Sequence, residues 1–243
     1  MRIGQSSNPA LSKNALSRVY EDAAGEGMMS INGTVNKTIL SLLLVMLTSY
    51  FTWKSGLSAW GMLGAIGGFI VAMITVFKPK WAYITTPVYA IFEGLFLGGI
   101  SAYFEAIYPG IAFQAVILTF GVAFAMLFAY RSGMIKATPK FTKGIIAATG
   151  GIAIFYLINI IFGFFGGGVS LANMGVLGIG IQLFIVAIAA LNLILDFDMI
   201  ERLSTQGAPK VMEWFGAFSL TVTLVWLYLE ILKLLALFAG NRD

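Results

Sequence analysis

The sequence predicts an all-α integral membrane protein, a seven-transmembrane-helix bundle, and three observations carry the prediction. Of 243 residues, 59% are hydrophobic and 11% charged, with a mean hydropathy of +0.90, so polar side chains are too few to cover a water-soluble domain. The apolar residues are gathered into seven blocks, most of them about 20 residues long, the length that crosses a bilayer as a helix. Aromatic residues with a polar edge mark the block ends (Trp53, Trp60, Trp81, Tyr83, Tyr108, Tyr130 and Trp214), where such rings favour the headgroup layer.

In chain order, residues 1–37 form a polar segment rich in Gly, Ser and Asn, without the apolar core of a secretory signal, so the first span is expected to act as its own insertion signal. Within it, residues 9–23 place Leu11, Ala15, Leu16 and Val19 on one helical face, which fits either an amphipathic helix on the membrane surface or a loosely ordered tail. Residues 38–243 form the seven-helix domain, with spans at 38–53, 57–77, 85–107, 111–130, 144–165, 175–197 and 214–239. The first is short and is expected to continue into its flanks. Arg2, Lys13, Arg18, Lys37, Lys78, Lys80, Arg131, Lys136, Lys140, Lys143, Arg202 and Lys210 fall on one side of this arrangement, against Lys54 and Arg242 on the other. That asymmetry predicts a cytoplasmic N-terminus and an outer C-terminus; the expected location is the cytoplasmic membrane.

There is no cysteine and no histidine, which removes disulfides, thiolate nucleophiles, imidazole bases and the common zinc and haem sites. No other nucleophile and base come together, so an enzyme is not expected, and no cofactor is called for. The net charge of +4 is explained by loop topology, and nucleic acid is not an expected partner. Gly64/Gly68 and Gly94/Gly98 have the four-residue spacing that lets helices approach closely, read here as packing within the bundle rather than a dimer motif. Residues 166–168, three glycines, read as a flexible outer loop.

Ionisable residues inside spans are costly and are functional candidates by default. Glu93 lies in the middle of span three, either as a protonated acid bonded to a neighbouring helix or as a pore-lining group. Glu105, near the outer end of that span, is expected to be solvated. Asp196 and Asp198 end span six; two residues apart on a helix they point differently, and Asp196 is the better inward candidate. Glu230 and Lys233, three apart in span seven, share a face and can neutralise each other.

Two segments then carry a family resemblance. Ile194-Leu195-Asp196-Phe197-Asp198-Met199-Ile200 is similar to a Tyr-Asp-x-x-x-Ile segment, and Trp226-Leu227-Tyr228-Leu229-Glu230-Ile231-Leu232 to a Leu-Tyr-Leu-Asp segment, of the Bax inhibitor-1/YccA-like family of seven-span membrane proteins. Glu93-Gly94 is similar to a Glu-Gly of span three in some members. The resemblance implies a buried acidic pair, Asp196 with Glu230, that senses pH and gates a Ca²⁺ leak. Read from the residues themselves, Glu93, Asp198 and Lys233 are secondary pathway or helper groups, and Asp196 and Glu230 are the candidate Ca²⁺ ligands. Two adjacent carboxylates share a proton more cheaply than they hold two charges, and when ionised they suit a hard cation.

The chain also departs from the family pattern. Glu230 stands where aspartate is commoner, Lys233 places a cation beside it, the connection from Asp196 is longer, and span two has no acid or arginine. To bring Glu230 level with Asp196, residues 209–218 are expected to form an interfacial amphipathic helix, with the crossing starting near Ser219. The expected partners are the lipid bilayer and Ca²⁺ or another cation. The alternatives are a non-transporting protein that modulates a membrane protease or another membrane partner and, more remotely, a retinal-type Schiff-base protein built on Lys233.

Overall fold

A computed structural model of the chain describes residues 27–55 and 58–240; the helix candidate at 9–23 lies outside the described residues. Among these, seven helices are long and apolar enough to cross a membrane. They are α1 (Ile31–Ser55), α2 (Ser58–Phe77), α3 (Ala82–Ile107), α4 (Ile111–Arg131), α5 (Pro139–Phe164), α6 (Val176–Thr205) and α7 (Met212–Gly240), with 3₁₀ turns at Pro79–Trp81 and Leu171–Met174. Each predicted span falls on one of them. The large apolar side chains left exposed, such as Leu47, Phe69, Phe124 and Phe128, are those of a protein whose outer surface meets lipid.

Two boundaries differ from expectation. α1 begins at Ile31, ahead of the apolar block, because Ser30 caps it: its Oγ accepts from the Gly33 amide at 2.9 Å. The separate interfacial helix expected over 209–218 is absent, for α7 is continuous from Met212 and buries Met212, Glu213, Phe215, Ala217 and Phe218. At 30 and 29 residues, α6 and α7 rise about 45 and 43 Å, longer than a hydrocarbon core of about 30 Å.

The chain divides into two units, Met1–Ala102 with Met199–Val222 and Tyr103–Asp198 with Thr223–Asp243. In the first unit, α1 turns Thr34, Thr38, Ser41, Val45 and Thr52 inward at helical spacing. The hydroxyls are satisfied on their own helix, Thr38 donating to the Thr34 carbonyl at 2.9 Å and Ser41 to that of Lys37 at 2.8 Å, which leaves a thin, quiet face. Gly94 and Gly98 of α3 seat on it, and Ser49 donates to the Gly94 carbonyl at 3.0 Å. A Cβ on Gly98 would stand 2.8 Å from Cβ of Thr52 and 2.9 Å from the Ser49 carbonyl carbon; one on Gly64 of α2 would stand 2.5 Å from the Phe92 carbonyl oxygen. Both glycine pairs therefore serve packing within the bundle, as expected from their spacing.

In the second unit, Phe141, Ile145, Ala148, Ile152 and Tyr156 of α5 share one apolar cluster with Ile181, Ile185, Ile188 and Leu195 of α6. Three- and four-residue intervals put each set on one helix face. Asn192 bridges the same pair of helices, donating to Thr149 Oγ1 at 2.9 Å. Glu105, half-buried near the outer end of α3, is also a capping group. Its two oxygens accept from the Gly110 and Ala112 amides at 2.6 and 3.1 Å, at the start of α4, where a carboxylate also meets the positive end of the helix dipole. The glycine-rich connection after α5 is tied down by Asn159, whose side-chain amide donates to the Val169 carbonyl at 3.0 Å and accepts from the Val169 amide at 2.7 Å.

Gly98→Ala is expected to destabilise the protein by about 1–3 kcal/mol, since the new methyl group must push into α1 backbone. Gly151→Ala, with nothing within 4 Å of its Cβ position, is the control and should leave stability unchanged or raised. Thermal unfolding of the two variants in one detergent checks the contrast.

Candidate functional site

The centre of the second unit is Glu230, 1% exposed. It sits eighteen residues into the 29-residue α7, so its carboxylate cannot reach a headgroup layer unaided. Three helices supply it with donors. Tyr156 Oη of α5 and Gln182 Nε2 of α6 donate to Oε2 at 2.8 and 2.7 Å, while Trp226 Nε1 and Lys233 Nζ of α7 itself donate to Oε1, both at 3.1 Å. Gln182 Nε2 also lies 2.9 Å from the Glu230 carbonyl oxygen, which fixes the depth of α6 against α7. Two oxygens offer about four acceptor positions, and four donors fill them. Lys233 completes the cluster, lying 3.4 Å from the Tyr156 hydroxyl and 4.6 Å from the centre of its ring. The amine on which a Schiff base would form is thus engaged by an acid and a phenol.

Asp196 is buried, 8% exposed, and Asp198 is half-buried. The direct pair of Asp196 with Glu230 does not form. Glu230 is bonded to Gln182, and Asp196 lies fourteen residues further along the unbroken α6, an axial rise of about 21 Å that the side chains cannot span. The cause is the continuity of α7 from Met212, which carries Glu230 past the level of Asp196. The same arrangement revises the Ca²⁺ site read from those two residues. Ca²⁺ takes six to eight oxygen ligands, whereas the Glu230 oxygens already accept four donors, one of them a cation. Among the described residues no three Asp or Glu come together in a way that could hold a metal ion.

Glu93, in the first unit, is half-buried. Its partner is on its own helix, the Tyr89 hydroxyl one turn back, and Tyr89 in turn packs edge-on against Phe218 at 5.0 Å between ring centres. Gly68 of α2 leaves the space the Glu93 carboxylate occupies: a Cβ there would stand 2.9 Å from Oε1.

A second acid network was not foreseen. Glu213, 2% exposed, accepts from the Ser30 amide and hydroxyl, both at 2.9 Å, and forms an ion pair with Lys37. Gly33 lies against its carboxylate, and the Lys37 ammonium also lies 5.4 Å from the centre of the Trp214 ring. Backbone bonds reinforce the contact, Met29 N to Ala208 O at 2.7 Å and Lys210 N to Gly27 O at 3.0 Å, so residues 27–30 are strapped onto the turn between α6 and α7.

Sequence reasoning missed Tyr156, Gln182 and Trp226 because it weighed only ionisable side chains. One signal was available: Trp226 is the tryptophan that falls inside a predicted span instead of at its end, four residues before Glu230. Glu213 was missed because it sat in a stretch read as interfacial.

The fold and the site together define a polytopic helical membrane protein with a buried carboxylate network in its last three spans. The chain belongs to the Bax inhibitor 1 like family, which it matches over residues 8–240. Comparison with curated proteins and with solved structures returned no significant match.

Lys37→Met is expected to cost about 2 kcal/mol by leaving the Glu213 carboxylate buried without its cation, and Lys37→Met combined with Glu213→Met should recover much of that loss. Thermal unfolding of the two single variants and the double variant gives the coupling.

Proposed function

We propose that the protein is a pH-sensitive cation leak channel or carrier of the cytoplasmic membrane, with Ca²⁺ the favoured cargo, the N-terminus cytoplasmic and the C-terminus outside. The observation that supports the reading most strongly is the Glu230 network, a carboxylate buried inside a span and shared by three helices.

Ionised, Glu230 is the common acceptor that holds Tyr156 of α5 and Gln182 of α6 to α7. Protonation cancels the charge that retains Lys233 and turns one acceptor oxygen into a donor, so at least one of the four bonds must be given up. An element with two arrangements then acquires a pH bias, the acid form being the looser one. Asp196, on the cytoplasmic half of α6, is a separate station for the cation, with Asp198 beside it; Glu93 is a secondary pathway group. The gate is thus a carboxylate with its donors, in place of two carboxylates in contact.

Flux of Ca²⁺ into proteoliposomes, followed from mildly acidic to mildly alkaline pH, tests this. The parent should leak faster on acidification. Glu230→Gln, a neutral mimic of the protonated acid, should leak at neutral pH at the parent's acid rate and lose most of its pH dependence, and Asp196→Asn should lower the flux while keeping that dependence. Identical flux from all three proteins, or none from any, would sink the proposal.

A further inference from the structure

We infer that Lys233 is a tethered cation, whose ammonium occupies the Glu230 carboxylate in place of a free one and so determines when and how tightly that carboxylate takes a cation from solution. The inference rests on the reading of Glu230 as the gate acid.

Charge is the first ground. The groups on Glu230 that carry or can carry charge are Lys233 of α7 and the Tyr156 phenol of α5, while α6 contributes the neutral Gln182 and α7 the neutral indole of Trp226. With the ammonium in place the cluster is neutral and attracts no cation; without it the cluster carries a full negative charge in a medium that screens poorly. Three of the four donors are therefore fixed, neutral scaffolding, and one is an exchangeable charge.

Access is the second. The Lys233 side chain is 36% exposed, against 2% for that of Glu230. It lies seven residues before the end of α7, a rise of about 10 Å, and a lysine stem can carry its ammonium much of that way toward a headgroup layer. The Tyr156 hydroxyl and ring, at 3.4 and 4.6 Å, give the ammonium a second, weaker seat. Departure leaves Oε1 with the neutral Trp226 donor, which opens an acceptor position for an incoming cation.

Trp226 supplies the test, because its Nε1 donates to the same Oε1. Its fluorescence reports what that oxygen carries without any measurement of flux. The purified full-length protein in detergent is titrated with CaCl₂ and separately with NaCl at neutral pH, and matched Trp226→Phe proteins subtract the other four tryptophans. Lys233→Met should gain a saturable cation response with a midpoint lower than the parent's by about tenfold or more, a modest part of what a unit charge at that distance exerts. Lys233→Arg should respond like the parent, and Lys233→Met combined with Glu230→Gln should not respond. Lys233→Gln repeats the measurement with a polar neutral side chain in case the methionine variant loses its helical circular dichroism.

A parent-like response from a folded neutral variant overturns the inference. So does unfolding of both neutral variants while Lys233→Arg folds, which would make the lysine a structural partner alone. If no protein conducts yet Lys233→Met gains the response, the tethered cation stands and the leak reading falls; if the parent conducts with pH dependence and the response is not gained, the reverse holds.

Discussion

A carboxylate enclosed in hydrocarbon must be given donors or surrender its charge, and the second unit of this protein is arranged around that demand at Glu230. Tyr156, Gln182, Trp226 and Lys233 answer it from three helices, and in doing so they set the depth at which α5, α6 and α7 meet. The neighbouring packing agrees with that depth: the cluster that joins Ile145 and Ile152 to Ile185 and Ile188 takes in both Tyr156 and Trp226 at its edge. Polar satisfaction and apolar packing specify one register, and a slip of one helical turn would break both.

The first unit meets a different constraint. Between helices already in an apolar solvent, burial of apolar surface gives little net gain, and close contact of backbones has to take its place. The hydroxyl-lined face of α1 and the glycines of α2 and α3 provide it. Glu213 is the exception in this unit. It is kept charged beside Lys37 and Ser30, and it ties the residues before α1 to the turn that precedes α7. In the second unit, the bond from Gln182 puts Glu230 at the level of Gln182 and not of Asp196.

Much of the outcome was legible in the residues one at a time. Hydropathy and interfacial aromatics gave the seven spans, because a bilayer imposes length and composition on any helix that crosses it. Four-residue glycine spacing gave the close contacts, and the cost of an intramembrane charge picked out Glu93, Asp196 and Glu230. The Lys233 partnership was readable too, since residues three apart share a helix face. The acidic pair failed because it depended on the relative depth of two helices. A span pattern fixes that depth only to within the error of its ends, and seven residues of helix already displace a side chain by about 10 Å.

By itself the sequence determined that this is a seven-span helical membrane protein, which residues are too polar for its interior, and which neighbours along one helix neutralise each other. These follow from local composition and from the period of the α-helix. Only the tertiary structure decided that Glu230 takes its donors from Tyr156 and Gln182 and stands apart from Asp196, that Glu105 caps α4, and that Glu213 fastens residues 27–30 to the turn before α7. Each of those outcomes joins residues distant in sequence or sets the register of one helix on another, and neither quantity is written in the hydropathy of a single helix.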